Sequence, residues 1–107
     1  MFASKKEIVD AFELAESNII DEIGEILSND MKKGDFIQEH NCWYGEIIDN
    51  MKGNTRVANI HGYFTEAGSI YVWDIATICK DGKLYCIKLT NKQKKDRDRI
   101  NTIMEWT

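Results

Sequence analysis

The sequence predicts an α+β fold, in which a long N-terminal helix and a C-terminal helix flank a four-stranded antiparallel β-meander. Apolar residues recur at helical spacing over the first 30 residues and again after residue 91. Between them, residues 42–90 are rich in β-branched and aromatic residues and are punctuated by Gly and Asn, as strands and turns require. The predicted order is α-β-β-β-β-α, with both helices on one face of the sheet.

Length and composition predict one domain over residues 1–107, because a chain of this size can bury one hydrophobic core. Hydrophobic residues make up 43% and charged residues 30%, which argues against a disordered chain or a coiled-coil rod. No apolar run approaches the roughly 18 residues of a membrane helix, and "MFASKKE" lacks the apolar centre of a secretory signal. We therefore expect a cytoplasmic protein that does not bind a membrane.

The first helix is predicted from a capping box, Ser4-Lys5-Lys6-Glu7, in which the serine and glutamate side chains satisfy amide donors at a helix start. A single apolar stripe follows at about 100° per residue. It comprises Ile8, Val9, Phe12, Ala15, Ile19, Ile20, Ile23, Ile26 and Leu27. The stripe predicts a core-facing helix of about six turns that ends near residues 28–30, followed by a connection over residues 31–41.

Strands are predicted at residues 43–49, 55–64, 69–79 and 84–90. Asp81-Gly82 is the strongest hairpin signal because both residue types tolerate a positive φ. The segment "WYGEIIDNM" also suits a short helix, which leaves both alternatives open for the first strand. Thr90 is expected to cap the last helix, with Ile100, Ile103 and Met104 on its inner side and Trp106 at the edge.

Alternation along the last two strands predicts two apolar faces. One carries Ile70, Val72, Ala76, Ile78, Tyr85, Ile87 and Leu89, and is expected to pack under the helices. The other carries Tyr71, Trp73, Ile75, Thr77, Cys79, Leu84 and Cys86, and is too apolar to stay bare without a reason. It is either a surface for a partner or a second copy, or it is covered by a segment such as 31–44.

Trp43 and Tyr44 form a second candidate contact, because Trp and Tyr supply large rigid area with a polar group. The alternative for both is a place in the core. The predicted protein-binding residues are Trp43, Tyr44, Tyr71, Trp73, Ile75 and Leu84.

An enzymatic role has no motif behind it, since the sequence has no phosphate-binding glycine loop, no G-x-S-x-G and no H-E-x-x-H. A small hydrolase remains an alternative if Glu16 and Asp74 are buried together, because burial raises a carboxyl pKa toward the range of a general acid. The three cysteines, Cys42, Cys79 and Cys86, match no familiar zinc spacing. We expect free thiols and predict no metal and no cofactor.

The net charge of −4 is unevenly distributed. Residues 1–30 carry two lysines and eight acids, for a net charge of −6, whereas residues 91–107 carry five cations and three acids, for +2. In "KKDRDR" (residues 94–99) the spacings suit a salt-bridged helix surface. Cations in a first helical turn oppose the helix dipole, however, and cations there can bind phosphate.

The hairpin "ATICKDGKLYCIKLT" followed by "NKQKK" at a helix start resembles in layout the second half of a double-stranded-RNA-binding domain. The resemblance covers about a third of the chain. It depends on the layout and on Lys94-Lys95, and it implies RNA binding. The residues predicted to bind nucleic acid in this alternative are Lys92, Lys94, Lys95 and Arg99. The acidic first helix departs from that family, in which the first helix contacts RNA, so nucleic-acid binding is the alternative function.

The function we expect is that of a small non-enzymatic protein-binding module. The absence of Pro and the frequent Lys, Asn, Asp and Ile suggest AT-rich bacterial or phage coding. The concrete expectation is a phage or mobile-element inhibitor of a host defence or nucleic-acid-processing protein. An acidic helix suits such a role because it steers association with a basic groove.

Overall fold

A computed structural model describes residues 2–19, 22–50 and 53–105, with side chains described as far as residue 103. It confirms an α+β fold with a helix before and after the sheet, but within these described residues the sheet has seven strands rather than four and is mixed. The helices are α1 (Lys5–Ser17) and α2 (Asn91–Glu105). The strands are β1 (Gly24–Leu27), β2 (Phe36–Glu39), β3 (Tyr44–Asp49), β4 (Thr55–His61), β5 (Thr65–Tyr71), β6 (Ile75–Lys80) and β7 (Lys83–Lys88).

Both helix starts form as predicted. Ser4 Oγ accepts a hydrogen bond from the Glu7 amide at 3.2 Å. Thr90 and Gln93 cap α2 reciprocally: Thr90 Oγ1 accepts from the Gln93 amide at 3.1 Å, and the Thr90 amide donates to Gln93 Oε1 at 2.9 Å. These local patterns therefore locate both helix starts correctly.

The first helix is shorter than predicted, because Gly24–Leu27 leave the helical stripe and form the edge strand β1, parallel to β7. The predicted connection contains β2, which lies between β6 and β3. A 3-10 turn at Val72–Asp74 splits the predicted strand 69–79 into β5 and β6. The predicted strand 43–49 is confirmed as β3. Ile20 and Trp106, assigned to the predicted helices, lie outside the described residues, as does the Met104 side chain.

The strand order is β1-β7-β6-β2-β3-β4-β5, and every neighbouring pair except β1 and β7 is antiparallel. The β6–β7 turn uses Asp81 and Gly82 with φ values of 51° and 77°. Two successive positive φ values match the twist of the flanking strands, so this predicted hairpin is confirmed. No described helix has the length and apolarity needed to cross a membrane.

Both faces of the sheet are covered, each by a different element. Helix α1 packs Ile8, Phe12 and Ala15 against one face, which contributes Phe36, Tyr44, Cys79 and Leu84. The opposite face holds the larger core, built from Met31, Ile37, Ile47, Ala58, Ile60, Ile75 and Ile78. Segment 28–35, between β1 and β2, crosses this second face and inserts the fully buried Met31 into it.

Two hydrogen bonds fix the path of that segment. Arg56 Nη2, in β4, donates to Asn29 Oδ1 at 2.9 Å, although five strand spacings separate β1 from β4 in the sheet order. The Gly34 amide donates to the Ile47 carbonyl at 2.8 Å. A flat sheet would place β1 and β4 about 24 Å apart, so segment 28–35 must cross the sheet, which also curls toward it.

The predicted faces were assigned the wrong way round. Ile78, expected under the helices, lies under segment 28–35. Cys79 and Leu84, expected on the face that was either open or covered by a segment such as 31–44, lie under α1. Ile75 is buried in the same core as Ile78, because the β2–β6 register shifts between Gln38 and Glu39, and this irregularity breaks the alternation on which the prediction depended.

Candidate protein-binding surface

The most exposed large apolar side chains described are Tyr63 and Phe64, at 88% and 78% exposure. They occupy the turn between β4 and β5, where His61 pairs with Thr65 and leaves a three-residue loop, Gly62-Tyr63-Phe64. We call Trp43, Tyr63 and Phe64 the aromatic end. Single exposed apolar residues are common on protein surfaces, whereas adjacent exposed aromatic residues often mark a binding site. Neither hydrophobic core includes Tyr63 or Phe64.

Trp43 supports the exposed Tyr63 side chain from the side of the larger core. Its ring lies edge-on to that of Tyr63, with centroids 5.3 Å apart and an interplanar angle of 80°. It also packs against the larger core, so Tyr63 is supported although it is almost fully exposed. A Cβ on Gly62 would come within 2.7 Å of the Trp43 ring, which makes glycine necessary for this approach.

A shallow hollow of about 70 Å³ lies beside these rings, lined by Trp43, Ile60, Gly62, Tyr63, Phe64 and Glu66. Its lining is mostly apolar, with one carboxylate at the rim. Aromatic side chains around a small hollow are typical of the centres of protein contacts, where Trp and Tyr contribute most of the binding energy.

Strand β5 continues from the aromatic end along an edge of the sheet. In the part of the chain that the structure describes, no strand pairs with its outer side. At one end of the β4–β5 ladder the Gly62 amide donates to the Phe64 carbonyl, and at the other end the Val72 amide donates to the Asn54 carbonyl. On this side of the ladder, Phe64 and Val72 are therefore positions that hydrogen-bond to the β4 side. Because these positions alternate, Thr65, Ala67 and Ser69 point their amides and carbonyls outward. We call these outward groups the β5 edge.

At the far end of β5, Tyr71 and Trp73 stack with centroids 4.6 Å apart and an interplanar angle of 9°. The Tyr71 amide, which would continue the β5 edge, instead donates to Asp74 Oδ2 at 3.1 Å. The edge therefore ends at Ser69. Aromatic residues border it on both sides, since the aromatic end lies before Thr65 and the stacked pair lies after Ile70.

The residues predicted to bind protein separate into two groups. Trp43, Tyr71 and Trp73 lie at the two ends of β5, and Tyr71 is 38% exposed. Tyr44 packs edge-to-face on Phe12 with centroids 5.3 Å apart, and Ile75 and Leu84 are buried. Of the two alternatives for Ile75 and Leu84, exposed on an open face or covered, the structure shows the covered one, so the proposed contact role of these two residues is wrong.

Sequence reasoning missed Tyr63 and Phe64, because it placed them inside a predicted strand, 55–64. The signal that could have found them is Gly62. A glycine followed by two aromatic residues in "HGYFTE" ends the alternation of β4 and indicates a turn.

The carboxylates proposed for a hydrolase do not meet. Glu16 is exposed on α1, whereas Asp74 accepts the Tyr71 amide in the 3-10 turn. The structure instead brings Asp74 near Glu39, where burial, and after it the Asp74 charge, raises the pKa of the Glu39 carboxyl. Both border an open pocket with His40 and Asn41, and no Ser, Thr, Cys or Lys among the described residues lines it.

A pocket of about 530 Å³ lies between the end of α1 and the β6–β7 turn. Its lining includes Ile19, Ile23 and Leu84 together with Glu22, Asp81 and Lys83, and no described histidine or cysteine borders it. Among the described residues, no three His, Cys, Asp or Glu side chains are placed to hold a metal ion. No Ser or Thr that the structure describes lines the pocket beside these carboxylates and the lysine.

The predicted nucleic-acid residues lie along the first three turns of α2. Asp96 accepts hydrogen bonds from Lys92 Nζ and Asn54 Nδ2, both at 2.9 Å, and lies 3.8 Å from Arg99 Nη2. The bond from Asn54, and after it the bond from Lys92, lowers the pKa of the Asp96 carboxyl. Lys94 and Lys95 are exposed, and the described side chains include no acid paired with either.

Comparison with protein-family models, with curated proteins and with solved structures finds no match to this chain.

Proposed function

We propose that the protein is a non-enzymatic protein-binding module, and that it binds through the aromatic end and the β5 edge. The observation that carries this proposal is the pair Tyr63 and Phe64, exposed side by side and supported by Trp43. Aromatic side chains fixed by a neighbour lose little conformational entropy on binding, so more of their contact area contributes to affinity.

The β5 edge supports the same proposal. An extended segment of a partner can add to an open edge through backbone hydrogen bonds, and side-chain pockets beside the edge then supply specificity. Here the hollow at Trp43 and the stacked pair Tyr71–Trp73 lie at its two ends. Affinity and specificity would thus come from adjacent parts of one surface.

The concrete form of the proposal is a phage or mobile-element inhibitor that occupies the working surface of a host defence or nucleic-acid-processing protein. Composition supports this origin. Glu7, Asp10, Glu13 and Glu16 are all exposed on α1, although Asp10 pairs with Lys6 at 2.7 Å. An exposed acidic helix would speed association with a basic partner, as many nucleic-acid enzymes are, and the effect would weaken with salt.

The test is affinity capture from nuclease-treated bacterial lysate with three tagged proteins. These are the wild type, the double variant Tyr63→Ala/Phe64→Ala, and the control Leu14→Ala, which removes an apolar side chain that is 65% exposed on α1. We expect the wild type and the control to retain the same protein and the double variant to lose it. With that protein purified, the double variant should bind at least about 30-fold more weakly, which is the loss expected if one of the two residues contributes the roughly 2 kcal/mol typical of a hot spot.

Two results would overturn the proposal. One is capture of the same protein by the double variant at undiminished affinity while circular dichroism shows an intact fold. The other is a capture in which every protein that the wild type retains is also retained by the double variant.

A further inference from the structure

The β5 edge lacks the features that normally keep an exposed edge from pairing. Strand β5 has seven residues, contains no proline and no lysine, and has Glu66 as its one charged residue. Its register with β4 runs without a bulge from His61–Thr65 to Thr55–Tyr71. Natural sheets usually protect an edge with charge, proline, a bulge or a very short strand. This edge is therefore able to accept another strand.

We propose that the strand that pairs with this edge is β5 of a second copy of the chain, antiparallel and centred on Ala67. The inference rests on the proposed function, because it takes the β5 edge to be a protein contact. It names a second copy as the partner for that edge, so a second copy and a host protein would compete for it. In this register Ala67 lies opposite Ala67 of the second copy, and Thr65 lies opposite Ser69. The Thr65–Ser69 pair occurs twice by symmetry, which with the Ala67–Ala67 pair makes three hydrogen-bonded pairs. Each pair forms two bonds, so the two chains share about six backbone hydrogen bonds.

The register is self-complementary in its side chains. Thr65, Ala67 and Ser69 are small, and Glu66 lies opposite Gly68 of the second copy, so no like charges meet across the pair. A Cβ on Gly68 would have no heavy atom within 4 Å, which leaves open space opposite Glu66. A two-fold contact needs one segment to complement itself, and this segment does.

The same register accounts for the exposed aromatic residues. Counted outward from Ala67, Phe64 falls opposite Ile70 and Tyr63 falls opposite Tyr71 of the second copy. The aromatic end of each chain would thus meet the apolar end of β5 in the other. The Tyr71 amide already donates to Asp74, so the pairing stops at Ser69. Ser69 and Thr65 are each two residues from Ala67, so the paired segment is symmetric about Ala67.

The first experiment is sedimentation equilibrium of the full chain from micromolar to submillimolar concentration. We expect reversible association from a 12.4 kDa monomer to a species of twice that mass. Ala67→Lys places two like charges at the two-fold axis and should raise the dimer dissociation constant at least tenfold. Ala67→Pro removes an outward amide without removing a β4–β5 hydrogen bond, and should act in the same direction. Ala67→Ser keeps the amide and is the matched control.

The second experiment identifies the register by cross-linking, in a background in which the exposed Cys42 and Cys86 are changed to Ser. Directly opposed hydrogen-bonded residues lie about 5.5 Å apart at Cα, within disulfide reach. Ala67→Cys should therefore form a disulfide-linked dimer on mild oxidation. Ser69→Cys should not, because four residues separate it from its own counterpart along the paired strands, about 13 Å.

Each possible result decides the question. A monomer at all concentrations, a dimer unaffected by Ala67→Lys, or equal cross-linking of the two cysteine variants would overturn the inference. A monomeric protein that still captures another protein through Tyr63 and Phe64 would overturn it and leave the proposed function standing. A dimer that responds to Ala67→Lys but retains no other protein would support it while counting against the inhibitor.

Discussion

The attachment of α1 to the sheet depends largely on Phe12, and Phe12→Ala should release the helix. Of the described α1 side chains only Ile8, Phe12 and Ala15 are buried, and Phe12 adds the edge-to-face contact with Tyr44. The larger core on the opposite face includes no residue of α1. Loss of Phe12 should therefore open one side of the molecule while the sheet remains folded.

The magnitude follows from the burial of that ring. Replacing a buried Phe by Ala costs about 3–5 kcal/mol. Because each 1.4 kcal/mol is tenfold in an equilibrium constant, the population of molecules with α1 detached should rise about 150- to 5,000-fold. Leu14→Ala, on the exposed side of the same helix, should change it by less than about threefold, since surface substitutions are usually within 0.5 kcal/mol.

Cys79 provides the assay because it is buried beneath α1, with its Sγ 3.8 Å from the Ala11 carbonyl. Burial, and to a smaller extent the Asp35 charge, raises the pKa of the Cys79 thiol. In a background with Cys42 and Cys86 changed to Ser, the rate at which Cys79 reacts with an aromatic disulfide reports helix opening. Equal rates in the wild type and Phe12→Ala, with far-UV circular dichroism unchanged, would show that Phe12 does not hold α1 in place.

Three further predictions follow from single features. The pKa of Glu39 is raised in the folded protein, so the folded state binds the Glu39 proton more tightly than the unfolded state does. The protonated form therefore favours folding. This contribution to the free energy of unfolding is lost as pH rises from the ordinary carboxyl pKa through the raised pKa of Glu39. Glu39→Gln should therefore unfold at higher denaturant than the wild type at pH 7, with the difference shrinking below pH about 4.5; a constant difference would contradict the shift. Gly45→Ala should lower the free energy of unfolding by about 1–3 kcal/mol, because its Cβ would lie 2.5 Å from one side-chain atom and 2.9 Å from a backbone oxygen. Gly68→Ala, whose Cβ would meet no atom within 4 Å, should leave the thermal unfolding temperature unchanged or raise it. In gel shifts at about 50 mM salt we expect no complex with duplex RNA or DNA; a complex lost on Lys94→Ala/Lys95→Ala would instead establish nucleic-acid binding.

Features of the fold that depend on local chemistry were predictable from the sequence. The caps at Ser4 and Thr90 and the Asp81-Gly82 turn each satisfy backbone groups or unusual dihedral angles within a few residues. Such interactions are the same in any fold, so the pattern suffices to identify them.

The errors arose where a distant contact decided the structure. Ile23, Ile26 and Leu27 fit a helical stripe, but the pairing of β1 with β7 makes the segment from Gly24 a strand. β-Branched Ile and the Gly suit either state, so the choice falls to tertiary pairing. The 3-10 turn at Val72–Asp74 was hidden because Val72 and Trp73 are good strand residues.

The choice of the face that α1 covers had a large effect on the predicted site. Alternation placed Ile70, Ile78 and Ile87 on one face, as in the structure. The helices were assigned to that face although α1 covers the opposite one, so buried residues such as Leu84 were predicted to bind a partner. Trp43, Tyr71 and Trp73 were identified because their residue types indicate contact surfaces regardless of face. Their position beside a free edge could not be predicted, since it depends on the chain leaving β5 at the 3-10 turn and on β6 pairing with β2 in another part of the sheet.

The two ends of the sheet are not equally exposed to unwanted pairing. The β1 end is a strand of four residues, too short to guide a long partner, whereas the β5 end offers an unbroken strand of seven residues that carries one charge. Both cores are complete without Tyr63 and Phe64, so folding gives no reason for these residues to be aromatic. An unprotected edge and two surplus aromatic residues at the same place would each favour aggregation if left bare. Their coincidence is most simply explained by a contact that covers both together.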